Sequence, residues 1–189
     1  MRTLKFMTAT ALSFLAVSES ALAHTGHGTS GLAAGLAHPM TGLDHMLAML
    51  AVGVWAATQP ISRAWHGPAV FVAMLAVGAG LGLAGISMPF VEPGILASIV
   101  LLGAMIVVGN RLPEGVALVL IGGFAVLHGH AHGTEAVGAV AGYMAGFMIA
   151  SVVLHVAGYA FGRTAGMLRY GIPATGLALA AAGFALAGA

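Results

Sequence analysis

The chain has 189 residues, of which 60% are hydrophobic and only 6% are charged, and its formal net charge is +1. A water-soluble domain carries about 25% charged residues, so this composition excludes a water-facing surface over most of the chain and predicts a membrane protein. No basic run is present, so nucleic acid is not an expected partner. The absence of cysteine excludes disulfides and thiolate metal sites.

The first residues resemble a bacterial targeting signal. Arg2 and Lys5 precede an apolar stretch at 6–17, and small residues follow up to Ala23. We expect cleavage after Ala23, which would leave His24 as the mature N-terminus on the periplasmic side of the inner membrane. The alternative is an uncleaved signal anchor, and both interpretations put His24 on the same side.

The rest of the chain divides into six apolar stretches, each close to the 20 or so residues that cross a bilayer. They lie at 31–57, 67–88, 93–110, 114–132, 137–161 and 171–188. Proline, glycine and polar residues mark the breaks between them. We therefore expect an all-α polytopic membrane protein, with a signal peptide at 1–23 and a single domain of six transmembrane helices at 24–189.

The basic residues predict the orientation of the helices. The loops after the first, third and fifth spans contain all the arginines that follow the signal segment: Arg63, Arg111, Arg163 and Arg169. Loops rich in Lys and Arg face the cytoplasm. We therefore expect a multi-pass inner-membrane protein whose mature N- and C-termini are both periplasmic.

The first span contains three metal-ligating side chains, His38, Asp44 and His45. In one continuous helix, His38 and His45 would lie about 20° apart around the axis, with Asp44 on the flank of the same face. Ionisable groups inside a membrane are costly and usually face a functional interior. Two imidazoles and a carboxylate suit Ni²⁺, Co²⁺ or Zn²⁺. The alternative is an Asp44–His45 pair that only stabilises helix packing.

A second cluster ends the fourth span. His128 and His132 are four residues apart and share a helix face, and Glu135 follows after another turn. The predicted orientation brings these residues to the outer part of the membrane, where they can meet His38. His130 points to nearly the opposite side, and for it a solvated loop position and a functional role are both open.

Three other histidines form a second rank of candidate ligands. His155, in the fifth span, is either an exit ligand or a hydrogen-bonding partner of a neighbouring helix. His24 and His27 either capture the ion outside the membrane or belong to a flexible tail.

The pattern His38-x5-Asp44-His45, together with the His-Gly-His-Ala-His-Gly-x-Glu stretch that begins at His128, resembles the two signatures of the HupE/UreJ family of nickel permeases. The order of elements, a signal followed by six spans with signatures in the first and fourth, is also similar, so the resemblance covers essentially the whole mature chain. One departure is Leu127, where family members often have Phe. The first motif is also similar to the His-x4-Asp-His signature of the larger nickel/cobalt transporter family, with one more intervening residue.

The resemblance implies nickel uptake that supplies hydrogenase or urease. It also implies transport roles for six residues: His38, Asp44, His45, His128, His132 and Glu135. Cobalt transport is attributed to relatives, and the spacing itself does not choose among nickel, cobalt and zinc. No permanently bound cofactor is expected, and the glycine-rich helix faces are compatible with either a homo-oligomer or a packed monomer.

We therefore expect a secondary transporter or facilitator and not an enzyme. The chain has no Gly-rich loop ending in Lys-Ser or Lys-Thr, so ATP-driven pumping by this polypeptide alone is not expected. Because imidazole must be neutral to bind a metal, transport should fall as the pH drops through about 6–6.5. The alternatives are a b-type haem subunit with two axial histidines and an intramembrane zinc hydrolase.

Overall fold

The computed structural model describes residues 31–188, which form seven α-helices and no strand. The helices are α1 (Gly31–Thr41), α2 (Leu43–Ala57), α3 (His66–Leu83), α4 (Val91–Val108), α5 (Glu114–Thr134), α6 (Val140–Ala165) and α7 (Gly171–Ala187), and a 3-10 turn (Gly109–Arg111) follows α4. The predicted signal peptide lies outside the described residues, as do His24 and His27, which follow it. The all-α prediction is confirmed for the described part of the chain.

Five of the six predicted spans match one helix each, with ends that differ by a few residues. The expectation of a single helix at 31–57 is wrong, because α1 and α2 meet at Gly42 with a bend of 83°. Four helices, α3 to α6, are long and apolar enough to cross a membrane, and the bent pair would make a fifth span. Helix α7 is apolar but has only 17 residues, so a sixth span remains a prediction.

Helix α2 lies at the centre of the bundle: it packs most closely on α6 and α4, and it also contacts α1, α3 and α7. Its side chains from Ala48 to Ala56 are mostly buried, and Met49 and Trp55 are among the largest fully buried side chains. The outer helices pair as α3 with α5 and α4 with α7, while α6 packs against both α1 and α2. This central position surrounds the residues at the start of α2 with other helices.

Glycine allows the closest of these helix approaches. A Cβ atom at Gly35 of α1 would overlap the backbone carbonyl of Tyr143 in α6, and one at Gly129 of α5 would overlap the carbonyl of Leu75 in α3. Small residues let membrane helices pack backbone to backbone. These contacts fix α1 and α5 at the depth where their histidines lie.

The bundle has two chemically different ends. At one end, which we call the arginine end, the segments that carry Arg63, Arg111 and Arg163 come together, and Arg63 donates a hydrogen bond to Glu114 at 3.1 Å. At the opposite end, which we call the histidine end, the last turn of α1 meets the last turn of α5 through His38 and Glu135. The charge pattern of the sequence is thus preserved as a difference between the two ends.

Candidate metal site

The break between α1 and α2 follows from three consecutive local features. Pro39 has no backbone N–H and removes one helical hydrogen bond in the last turn of α1. The hydroxyl of Thr41 then donates to the carbonyl of His38 at 2.8 Å, and Gly42 adopts an extended conformation with φ −91° and ψ 105°. The chain turns there instead of continuing as a kinked helix. His38 therefore projects from one helix, and Asp44 and His45 from the first turn of another.

Three of the predicted ligands converge at the histidine end. Single ligand atoms of His38, His132 and Glu135 all lie within 4.8 Å of one another. His38 donates from Nε2 to Glu135 Oε2 at 2.9 Å, and these two side chains are partly exposed, whereas His132 is only 1% exposed. This group, which we call the outer triad, connects the surface of the bundle to its interior.

The remaining predicted ligands lie deeper and continue the outer triad. The ring centroid of His132 is 4.5 Å from that of His45, and the centroid of His45 is 4.9 Å from that of His128. His38 contacts His132 at 4.8 Å. The four imidazoles thus form an unbroken series, His38–His132–His45–His128, which we call the imidazole chain. His128 is fully buried at its inner end, not at the outer mouth where we expected it.

A carboxylate determines which nitrogen of His45 is free. Asp44 Oδ1 accepts both the backbone N–H of His45, at 2.8 Å, and its ring Nδ1–H, at 2.9 Å. A proton on Nδ1 leaves a lone pair on Nε2, and a carboxylate behind a ligating imidazole also raises its basicity. The Nε2 atom is buried and has no hydrogen-bond partner among the described residues.

A serine determines which ring nitrogen of His128 is free to bind a ligand. The hydroxyl of Ser98 donates to the carbonyl of Ile95 at 2.6 Å, so toward His128 Nε2, at 3.1 Å, it can only accept. The proton of His128 is therefore on Nε2 and the lone pair on Nδ1. That Nδ1 atom is buried and unpartnered within the described chain, as are both ring nitrogens of His132.

Buried polar atoms are normally hydrogen-bonded, because an unsatisfied one costs roughly 1–3 kcal/mol. The imidazole chain concentrates four such nitrogens in three neighbouring rings. Carboxylates stand at both the outer triad and the start of α2. Imidazole lone pairs with carboxylates nearby are suited to bind a divalent transition metal.

The second-rank histidines have different positions. His130 is buried and donates from Nε2 to the carbonyl of Ile86 at 2.6 Å, which ties α5 to the segment after α3, so a solvated loop position for it is wrong. His155 is buried near the middle of α6 and contacts Phe71, not the outer triad. Neither joins the imidazole chain.

Four residues that the sequence analysis did not select also contribute. Ser98 orients His128, and Phe71 contacts the rings of both His128 and His155 at 5.8 and 5.0 Å. On α6, Tyr143 lies 5.7 Å from His38, and Phe147 lies 4.4 Å from His132. Ser98 and Asn110 are the two polar residues of the span predicted at 93–110, and Asn110 is at its end. A lone hydroxyl inside an apolar span was therefore the signal that could have indicated Ser98. The aromatic residues have no such signal, because they look like ordinary core residues.

Comparison with known proteins identifies the family of this chain. The family model described as HupE / UreJ protein matches residues 12–186. The chain belongs to the HupE/UreJ family. It is 42% identical over 183 residues to Protein HupE of Rhizobium leguminosarum bv. viciae, covering 95% of this chain and 94% of that relative. No solved structure matches the chain.

Family membership confirms the resemblance found in the two motifs. HupE/UreJ proteins are transporters associated with nickel and cobalt, and the family is not one of enzymes. The several apolar helices fit a multi-pass membrane protein. Neither a haem subunit nor a zinc hydrolase finds support in these comparisons.

Proposed function

We propose that this protein is a secondary transporter or facilitator that takes up Ni²⁺, and secondarily Co²⁺, across the bacterial inner membrane. The observation that carries the proposal is the imidazole chain, in which four histidines from three helices are in ring contact between two carboxylates. Its direction follows from the positive-inside tendency, which assigns the arginine end to the cytoplasm and the histidine end to the periplasm.

The proposed path begins at the outer triad. An arriving cation exchanges water for Glu135, His38 and His132, and it replaces the hydrogen bond that His38 donates to Glu135. The partial exposure of that pair makes the exchange accessible to an ion from solution. Glu135 offsets part of the ion's charge, which the apolar surroundings of the deeper histidines cannot do.

The next step is a transfer along neighbouring lone pairs. His132 has two unpartnered ring nitrogens, one of which carries a lone pair in the neutral imidazole, and the Nε2 of His45 and the Nδ1 of His128 follow it. Asp44, hydrogen-bonded to His45, supplies a second negative charge at this depth. Conduction requires sites that bind well enough to admit the ion but weakly enough to release it, and a series of overlapping imidazole sites meets that requirement.

The test is uptake of radiolabelled nickel by nickel-starved cells that express the protein, with Asp44→Asn and His45→Ala beside wild type. We expect wild type to accumulate nickel and both variants to lose uptake at equal membrane abundance. His66→Gln is the matched control, because this histidine lies at the arginine end, hydrogen-bonded to Glu114. Unlabelled cobalt and zinc as competitors then rank the selectivity.

Two results would contradict the proposal. A wild-type protein that carries no nickel, cobalt or zinc is not a transporter of these ions. Normal uptake by Asp44→Asn and His45→Ala would mean that this pair only packs α2 and that the ion follows another route. The expected beneficiary of uptake, a hydrogenase or a urease, is tested separately by its activity in cells lacking the transporter.

A further inference from the structure

A line of four buried side chains runs down α6 from the imidazole chain toward the arginine end. Tyr143, Phe147, Ser151 and His155 are spaced four residues apart, so each lies about 40° around the helix from the one before it, and none is more than 3% exposed. We call these four residues the α6 stripe. The first two contact the rings of His38 and His132. The stripe extends about 18 Å at the rise of an α-helix, which takes it well beyond the imidazole chain.

The lower half of the stripe contains polar atoms without partners. The hydroxyl of Ser151 and both ring nitrogens of His155 are buried, and none has a hydrogen-bond partner in residues 31–188. A serine or threonine hydroxyl inside a helix usually bonds back to a carbonyl of the preceding turn. Thr164 and Thr175 do so here, at 2.7 and 2.8 Å, whereas Ser151 does not. Ser151 and His155 are thus an adjacent hydroxyl and imidazole, both available to a ligand.

His155 also lines a cavity of about 700 Å³ between α3 and α6. The cavity reaches the arginine end, because Ile61 and Trp65 of the segment between α2 and α3 form part of its wall. Apart from His155 its walls are almost entirely apolar, and several of the lining side chains, Ile61 and Trp65 among them, are exposed on the surface of the bundle. On the opposite side of His155, the ring of Phe71 also touches His128, the innermost member of the imidazole chain. A single aromatic ring therefore separates the two groups of ligands.

We propose that Ser151 and His155 form a second, inner station for a divalent transition-metal cation, from which the ion leaves toward the arginine end. The proposal rests on the proposed transport function and identifies its release site. A neutral imidazole and a hydroxyl without a carboxylate bind such an ion more weakly than the outer triad does. A weaker last site favours release over retention.

The first experiment separates release from capture. Ser151→Ala, His155→Ala and the size-conserving His155→Gln are compared with wild type in nickel uptake. Val153→Ala is the control, because Val153 is exposed, does not line the cavity and lies nearly opposite to Ser151 and His155 around the helix. We expect His155→Ala to lower the initial uptake rate by roughly tenfold, the lower end of the effect of disturbing a metal site. Equilibrium Ni²⁺ binding to the purified protein should persist, since the outer triad is intact. Wild-type uptake by all three variants would overturn the proposal.

The second experiment tests the station without relying on transport. The chain has no cysteine, so Ala69→Cys in α3 introduces a single thiol into the cavity wall. In inside-out vesicles we expect a membrane-impermeant maleimide to label it, and Ni²⁺ to slow the labelling while Mg²⁺ does not. The protection should disappear when His155→Ala is added, which distinguishes the station from nickel bound by the thiol alone.

The outcomes of the two experiments distinguish the two proposals. Labelling that Ni²⁺ leaves unchanged, or protection that survives His155→Ala, overturns the inner station even if wild-type cells take up nickel. Absence of uptake by wild type refutes the transport function, and nickel protection of Ala69→Cys that requires His155 would still identify a metal site in the cavity.

Discussion

Replacement of Ser98 by alanine tests the logic of the site most sharply, because Ser98 never touches the ion in the proposed path. Its hydroxyl accepts the Nε2–H of His128 at 3.1 Å, and both residues are fully buried. In Ser98→Ala the N–H loses its partner, so the proton is free to move to Nδ1, the nitrogen that should bind the ion. The variant therefore acts on the tautomer of His128 and not on the ligand set.

Two magnitudes follow from that hydrogen bond. A buried N–H left without a partner should lower the free energy of unfolding by roughly 1–3 kcal/mol. Loss of a group that orients a metal ligand typically weakens metal affinity by about 10- to 100-fold. At about 1.4 kcal/mol per tenfold, the loss in binding free energy is roughly 1.4–2.8 kcal/mol. We expect the KM for nickel to rise by about 10- to 100-fold.

The assay is the initial rate of nickel uptake as a function of nickel concentration, with thermal unfolding of the purified protein measured alongside. Thr175→Ala is the matched control, because that hydroxyl bonds only the carbonyl of Gly171 within α7. We expect the control to keep the wild-type KM. A Ser98→Ala protein with wild-type KM at equal membrane abundance would refute the tautomer argument for His128.

Three further predictions address the outer triad, the helix packing and the orientation. Glu135→Gln should change the free energy of unfolding by less than about 1 kcal/mol, since the pair of Glu135 with His38 is partly exposed. The same variant should lower nickel uptake strongly. A large loss of stability would indicate a structural role instead. Gly35→Leu should prevent α1 from packing on α6 and should reduce the amount of folded protein. Gly80→Leu is the control, because there is open space around Gly80, and it should leave the amount of folded protein unchanged. Equal yields of both variants by size-exclusion chromatography would contradict the packing of α1 on α6. A single cysteine at Arg63 should react with an impermeant maleimide only in inside-out vesicles, and labelling from the periplasmic side would reverse the orientation.

The sequence determined the class of protein and the composition of the site. An apolar chain with few charges has the bilayer as its solvent, and its helices must satisfy their own backbone hydrogen bonds, so the approximate ends of five of the seven described helices follow from the apolar stretches. The cost of an ionisable group inside such a stretch likewise identifies His38, Asp44, His45, His128, His132 and Glu135 as a group that needs a function.

The break between α1 and α2 did not follow from the sequence, because it depends on a competition between local hydrogen bonds. Periodicity treats 31–57 as one helix, and Pro39 suggests at most a kink. The observed bend lies at Gly42, because the Thr41 hydroxyl donates to the carbonyl of His38 while Asp44 accepts the backbone N–H of His45 in the first turn of the next helix. Individual hydrogen bonds of about 1 kcal/mol decide between a kinked helix and a break at Gly42, and the spacing of apolar residues carries no information about them.

Which side chains meet was decided by the tertiary structure alone. The sequence put His128 at the outer mouth, whereas the packing of α2 against its neighbours brings it to the inner end of the imidazole chain, with Ser98 fixing its proton. The sequence analysis named His155 as either an exit ligand or a hydrogen-bonding partner, and it did not select Ser151. What the tertiary structure adds is that no helix within residues 31–188 supplies either side chain with a hydrogen-bond partner. Composition and spacing determine which groups a membrane interior must accommodate, but the lone pairs left free depend on contacts between residues far apart in the chain.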